Sequence, residues 1–185
     1  MEFVIELWKP ILLSGLAVFI MSALVWTALP HHKKEFARLP DEDALLKALR
    51  ASNPAPGLYN LPHMDSQAEM SSPEGKAKLE AGRTAFLTVM PGGMPAMGPM
   101  MIKSVVANII VAIFIAYVGW HTLPMGTAYL EVFRVTGTVT FMAYGLATIP
   151  ESIWFGRPWS SYLLGAFDAL LYAFIAAGIF GWLWP

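Results

Sequence analysis

Four stretches of this chain each come close to the roughly 20 apolar residues that carry a helix across about 30 Å of hydrocarbon. They fall at residues 10–29, 104–120, 132–149 and 162–184. Nothing else in the sequence narrows the fold as far. Inside a bilayer every backbone N–H and C=O must find a partner within the protein, which leaves the helix as the form such a stretch adopts. The first stretch has no charged residue, and the second holds one strongly polar residue, Asn108. The third carries Arg134 and several threonines, and the fourth contains Asp168.

Charge placement supports the same reading. Charged residues make up 14% of the chain, against roughly 25% in an ordinary globular protein. They are dense between Lys33 and Arg83, whereas the C-terminal third has only Glu131, Arg134, Glu151, Arg157 and Asp168. The predicted fold is an all-α membrane protein: a four-transmembrane-helix bundle with a small polar insert between helices 1 and 2. Residues 1–29 form the tail and first span, 30–101 the insert on one membrane face, and 102–185 a three-helix segment. The first span lacks the positive start and small-residue cleavage site of a signal peptide, and is read as retained. All seven tryptophans fall at or near span ends, where aromatic belts meet the two interfaces.

Orientation follows from the cations. The insert side carries Lys33, Lys34, Lys103 and Arg157 with the insert's own lysines and arginines, and the far side only Lys9 and Arg134. The positive-inside rule then places the insert in the cytoplasm and both termini outside. A net charge of −1 gives no field to attract nucleic acid, so no nucleic-acid partner is expected. With no cysteine, thiolate metal sites and cysteine nucleophiles are excluded. No nucleophile elbow, phosphate loop, zinc-helix motif or dinucleotide fingerprint is present, so no cofactor is expected.

Within the insert, Asp41 reads as the N-cap of a short helix with acids in its first turn and Arg50 near its end. Ser72-Pro-Glu opens a second helix. Residues 57–61 and 84–89 read as a pair of strands.

Ionisable residues inside spans are costly and are the first place to look for function. At about 1.5 Å of rise per residue, Asn108, Tyr144 and Asp168 all lie roughly 6 to 9 Å inside the insert face. They are expected to form a polar cluster, either a proton or ion site around Asp168 or a knot that fixes helix packing. Near the far face Glu131 and Arg134 stand three apart, the spacing of an interfacial ion pair. Arg134 and Asp168, near opposite faces, are not expected to meet.

His31, His32 and His63 are candidate metal ligands with Asp41 or Glu42, although their spacing matches no metal motif and a headgroup-contacting collar is the plainer reading. Met90-Pro-Gly-Gly-Met-Pro-Ala-Met-Gly-Pro-Met-Met offers thioethers of the kind that select Cu(I), but its prolines and glycines also suit a plain loop. Gly165, Ala169, Ala173 and Ala176 line one face of the fourth span, the small-residue pattern of close helix packing.

Leu29-Pro-His-His-Lys-Lys, Leu39-Pro-Asp-Glu-Asp-Ala, Pro56-Gly-Leu-Tyr-Asn-Leu-Pro-His, Ser152-Ile-Trp-Phe-Gly-Arg-Pro-Trp-Ser and Gly178-Ile-Phe-Gly-Trp-Leu-Trp-Pro together resemble a family of small four-span bacterial membrane proteins. The resemblance implies a four-span fold in a bacterial cell membrane and no catalytic assignment. The expected partners are the bilayer and a protein partner or a second copy of the chain. The expected role is a non-enzymatic subunit, assembly factor or homo-oligomer, with a small transporter or channel using Asp168 as the alternative and a histidine-based metalloenzyme third.

Overall fold

A computed structural model describes residues 2–185, apart from the side chain of Lys34. Lys34, one of the cations used above to orient the chain, therefore has its side chain outside the described residues. In chain order the helices are α1 (Glu2–Glu6), α2 (Trp8–Ala28), α3 (Glu42–Ser52), α4 (Gln67–Ser71), α5 (Pro73–Glu80), α6 (Met97–Thr122), α7 (Tyr129–Tyr144), α8 (Ile149–Trp154) and α9 (Trp159–Trp182), with 3-10 turns at His31–Lys34 and Leu146–Thr148. Strands β1 (Gly57–Leu61) and β2 (Ala85–Val89) complete the chain.

Four helical segments are long and apolar enough to cross a membrane: Trp8–Ala28, Met97–Thr122, Tyr129–Trp154 and Trp159–Trp182. The third combines α7, the 3-10 turn and α8. Only 22% to 39% of each apolar window is buried inside the bundle, so most of the apolar surface faces outward. On α2 alone Leu12, Leu13, Leu16, Ile20 and Leu24 are exposed. Water would penalise such a surface; hydrocarbon does not. The protein is a multi-pass helical membrane protein.

The chain divides into two compact units, residues 1–36 with 96–185, and residues 37–95. In the first, α2 packs on α6 and α9, and α7 packs on α6 and α9, giving a closed ring of neighbours. One core cluster gathers Leu7, Ile11, Ala112, Ile115, Ala116, Val132 and Phe180, and a second gathers Val18, Val25, Tyr172 and Ala176. Small residues set the spacing. A Cβ at Gly15 would lie 2.9 Å from Ile109 Cγ1 and 3.1 Å from its backbone, so α2 and α6 touch at backbone distance there. Ala169, Ala173, Ala176 and Ala177 are buried within the bundle, and a Cβ at Gly137 would sit 3.2 Å from Ala177 Cβ. The small face of α9 is thus used inside the protein, against α7. The C-terminus is tied to the loop between α6 and α7, where the Gly126 N–H donates to Pro185 O at 2.6 Å and Trp184 Nε1 donates to Pro124 O at 3.1 Å.

The second unit is an antiparallel hairpin flanked by short helices, with Gly57 opposite Val89 and Leu61 opposite Ala85. Asp41 caps α3 by accepting from the Ala44 N–H at 3.1 Å, and Asn53 closes it in the left-handed conformation at φ 42°. Ser72 caps α5, accepting from the Gly75 N–H at 3.0 Å, with Pro73 in the first turn. The extra helix α4 has its own cap, Ser66, which accepts from the Glu69 N–H at 3.1 Å. Residues 30–36 and 96–101, assigned to the insert from sequence, belong to the helical unit. The reason at the first boundary is a set of side-chain bonds described below; at the second, α6 simply begins at Met97.

Replacing Gly15 with Ala forces α2 and α6 apart at Ile109. Overpacking of this kind costs about 1–3 kcal/mol. Thermal unfolding of the purified protein in detergent should show a clearly lowered midpoint, and an unchanged one would mean that the helices do not approach this closely.

Candidate functional site

The site begins where α2 stops. Pro30 has no N–H to continue the helix, and Leu29 before it is extended at φ −85° and ψ 137°. The chain then makes the 3-10 turn His31–Lys34, in which the Lys33 N–H bonds Pro30 O at 3.1 Å and the Glu35 N–H bonds His32 O at 3.0 Å. A 3-10 turn eclipses side chains three apart. His32 and Glu35 therefore lie side by side, with Nδ1 of the ring 2.6 Å from Glu35 Oε2.

Asp168 comes from the facing wall. It stands on α9, about 14 Å along the axis from Trp159 at 1.5 Å per residue, and its side chain is 5% exposed. A carboxylate buried there without partners would cost several kcal/mol. Both of its oxygens are matched: Oδ1 lies 2.9 Å from His31 Nε2 and Oδ2 lies 2.7 Å from His32 Nε2. Trp26 covers one face of His32, stacked at a centroid distance of 4.0 Å and an interplanar angle of 2°. Phe167 meets the His31 ring edge-on at 6.0 Å.

The network runs on from Glu35. Gly156, at φ +69°, takes the left-handed turn between α8 and α9. The next residue, Arg157, has Nη2 3.3 Å from Glu35 Oε1 and Nη1 2.8 Å from Glu151 Oε2. The buried Ser161 supplies Glu35 with another side-chain hydrogen bond. The signs alternate along the chain of contacts from Asp168 to His32, Glu35, Arg157 and Glu151.

This alternation sets the protonation tendencies outside the spans. Burial works against a charged His32, but its bonds to Glu35 and Asp168 outweigh that and raise its pKa above the ordinary histidine value. Burial likewise opposes the Glu35 carboxylate, yet bonds from His32, Arg157 and Ser161 hold its pKa below the usual range. Arg157 is held more firmly protonated still, since its two carboxylate partners overcome the cost of burial.

Ligand geometry is also present. His31 Nε2, His32 Nε2 and an Asp168 oxygen lie within 4.8 Å of one another. A tetrahedral ion bonded at about 2.1 Å would space such donors about 3.4 Å apart, so the two hydrogen bonds that now close the cluster, at 2.9 and 2.7 Å, would open to admit one. Glu35 on His32 Nδ1 is the partner that a metal-binding imidazole commonly has on its second nitrogen, fixing tautomer and ring orientation.

Of the residues singled out from sequence, the structure joins Tyr144 and Asn108, the hydroxyl donating to Oδ1 at 2.9 Å. Asp168 takes the two histidines as its hydrogen-bond partners instead. Tyr172, one turn further along α9, packs edge-on against Tyr144 at 5.5 Å. His63 does not join His31 and His32: it belongs to the insert unit and bonds Asn60 Oδ1 at 2.7 Å and Asp65 Oδ1 at 3.1 Å. Asp41 is occupied as a helix cap. Glu131 and Arg134 form no ion pair among the described residues; both are exposed, and so accessible a pair gains little by closing. Met97, Met100 and Met101 become exposed apolar surface in the opening turns of α6. Glu35, Ser161 and Trp26 were missed as site residues, and Arg157 counted only as an orienting charge. The available signal was the i, i+3 spacing of His32 and Glu35 directly after a helix-ending proline.

The fold and site define a four-span helical membrane protein with a buried histidine–carboxylate centre at one end of its bundle. Comparison with family models, curated proteins and solved structures finds no match to this chain.

Replacing Glu35 with Ala strips His32 of one carboxylate and Arg157 of one of its two. Breaking a buried pair by deleting one partner costs about 3–5 kcal/mol, so a large fall in the unfolding midpoint is expected in detergent. Arg157→Ala should fall less, because Glu151 is about half exposed and water can replace its partner. Equal, small effects would show that the network contributes little to stability.

Proposed function

We propose that this chain is a metal-binding protein of a bacterial cell membrane, holding one divalent transition-metal ion through His31, His32 and Asp168 at its cytoplasmic face. One observation carries the reading: three nitrogen and oxygen donors from distant parts of the chain converge within 4.8 Å of one another, with Glu35 set behind His32. The donor set is imidazole and carboxylate without sulfur, which suits zinc, iron, manganese or cobalt over Cu(I). Three protein ligands leave a further coordination place free, as in metal sites that exchange or activate a bound molecule.

The bacterial setting rests on the resemblance described above, and the cytoplasmic placement on the insert-side cations. The role of subunit, assembly factor or homo-oligomer rests on the small-residue helix faces and on the polar insert. The α9 face is consumed within the bundle, so it no longer favours that role over metal binding. One observation favours ion passage as a second reading. The Tyr144–Asn108 bond, with Tyr172 beside it, continues polar character from Asp168 into the bundle interior.

Protein purified without chelator and then loaded with zinc or manganese should carry about one equivalent by elemental analysis. His31→Ala, His32→Ala and Asp168→Asn should each abolish it, and Glu35→Gln should weaken affinity by about 10- to 100-fold. Folded wild-type protein that takes up neither metal would overturn the proposal. Orientation is tested on the naturally cysteine-free chain. A cysteine at exposed Asp65 should react with a membrane-impermeant maleimide only after permeabilisation, and one at exposed Met125 in intact cells; the reverse pattern inverts the topology.

A further inference from the structure

The far end of the bundle carries a second, independent feature. Between α7 and α9 an outward-facing groove of about 310 Å³ is lined by Phe133, Gly137, Phe141, Leu170 and Phe174, with Arg134 at its edge. Phe133 and Phe174 stack at 6.2 Å along it. Arg134 is exposed and has no ion-pair partner among the described residues; Glu131, one turn earlier, does not take it. The α7 end that bears Arg134 packs near the C-terminal part of α9, where Tyr129 lies against Gly178 and Gly181. Leu170, a groove residue, stands two positions after Asp168 on α9, and about 100° of turn per residue puts the two side chains on nearly opposite faces of the helix, Asp168 on the histidines and Leu170 in the groove.

A lone guanidinium within an apolar span is expensive unless its head reaches the interface or meets an anion. Arg134 lies five residues, about 7.5 Å, from the start of α7, close enough for its long stem to snorkel to headgroup depth. The planar guanidinium then presents paired donors that match a phosphate. The groove below it asks for something different, a flexible apolar chain. An amphiphile with a negative head meets both demands at once, whereas a small soluble anion meets only the first.

We infer that this groove binds an anionic phospholipid of the surrounding leaflet, its phosphate on Arg134 and one acyl chain lying between α7 and α9. The surroundings supply the occupant. The groove opens on the apolar outer surface of the bundle, where lipid is the solvent, and an anionic headgroup brings the net negative charge that a zwitterionic one lacks.

Native mass spectrometry of the full chain in detergent tests this, titrating palmitoyl-oleoyl phosphatidylglycerol against phosphatidylcholine with the same chains. Wild type should retain phosphatidylglycerol preferentially, and Arg134→Gln should reduce that preference by about fivefold, the contribution of one interfacial cation. Thr138→Trp, which fills the groove and leaves Arg134 in place, should lower phosphatidylglycerol occupancy while circular dichroism and sizing stay unchanged. The inference is overturned if wild type shows no preference, if Arg134→Gln keeps it, or if Thr138→Trp binds as wild type does. A protein dimer that dissociates on Arg134→Gln would also overturn it, by assigning the groove to a second copy. Metal content should be unaffected by either variant.

Discussion

A carboxylate in the middle of an apolar helix has few ways to exist. Water is excluded and the charge cannot be left unpaired, so Asp168 commits whatever packs over it to supply donors. Two histidines do so, and their arrival accounts for the local chain path. Pro30 ends α2, the 3-10 turn folds onto the bundle instead of joining the insert, and Trp26 lies flat on His32. Solving one charge created the next requirement. Glu35, carried in by the same turn, adds a second carboxylate, which Arg157 and Ser161 answer from the approach to α9. The array that results has a carboxylate at each end, Asp168 on His31 and His32 and Glu151 on Arg157, with Glu35 between.

The rest of the interior handles polarity more cheaply. Ser14, Thr136 and Thr140 are buried, but each hydroxyl donates to a carbonyl of its own helix, at 2.6 to 2.7 Å. Such groups cost the bundle little and hold nothing together. Asn108 and Tyr144 differ because their bond crosses from α6 to the end of α7, fixing those helices in register. Where no polar group intervenes, close approach does the work, with Gly15 admitting the α6 backbone. Cohesion thus comes from fitted small residues and from a few interhelical bonds, as expected where lipid removes the hydrophobic drive between helices.

The fold was legible to the extent that it is local. Span length, tryptophan placement, the Asp41 and Ser72 caps and the two strands are all encoded within a few residues of themselves. The site was not, because its pairings are separated by 136 and 137 residues in the chain. Counting helical rise placed Asp168 at a common level with Asn108 and Tyr144, but depth carries no azimuth, and on α9 the carboxylate turns to the α2 end of the bundle. The helices also start earlier than the apolar runs, Trp159 against residue 162, which moved the estimated depth. His31 and His32 looked like a headgroup collar because their partner lies in the last span. His63, near them in composition only, is held by its own neighbours Asn60 and Asp65.

The two ends of the bundle show opposite answers to one constraint. At the insert end six ionisable groups pair with one another, at the cost of desolvating His32, Glu35 and Asp168; such networks are weak evidence for stability alone, since apolar replacements often serve as well. The proposed metal ion would give that cost a use, since the same donors could hold it. At the far end a single arginine is left exposed to the bilayer with no internal partner, and the compensation must come from outside the protein. A buried, self-matched cluster suits selective binding of a small ion, which has to lose its water and find fixed donors. An exposed lone cation above an apolar groove suits a ligand that already resides in the membrane and needs only to be picked out by its charge.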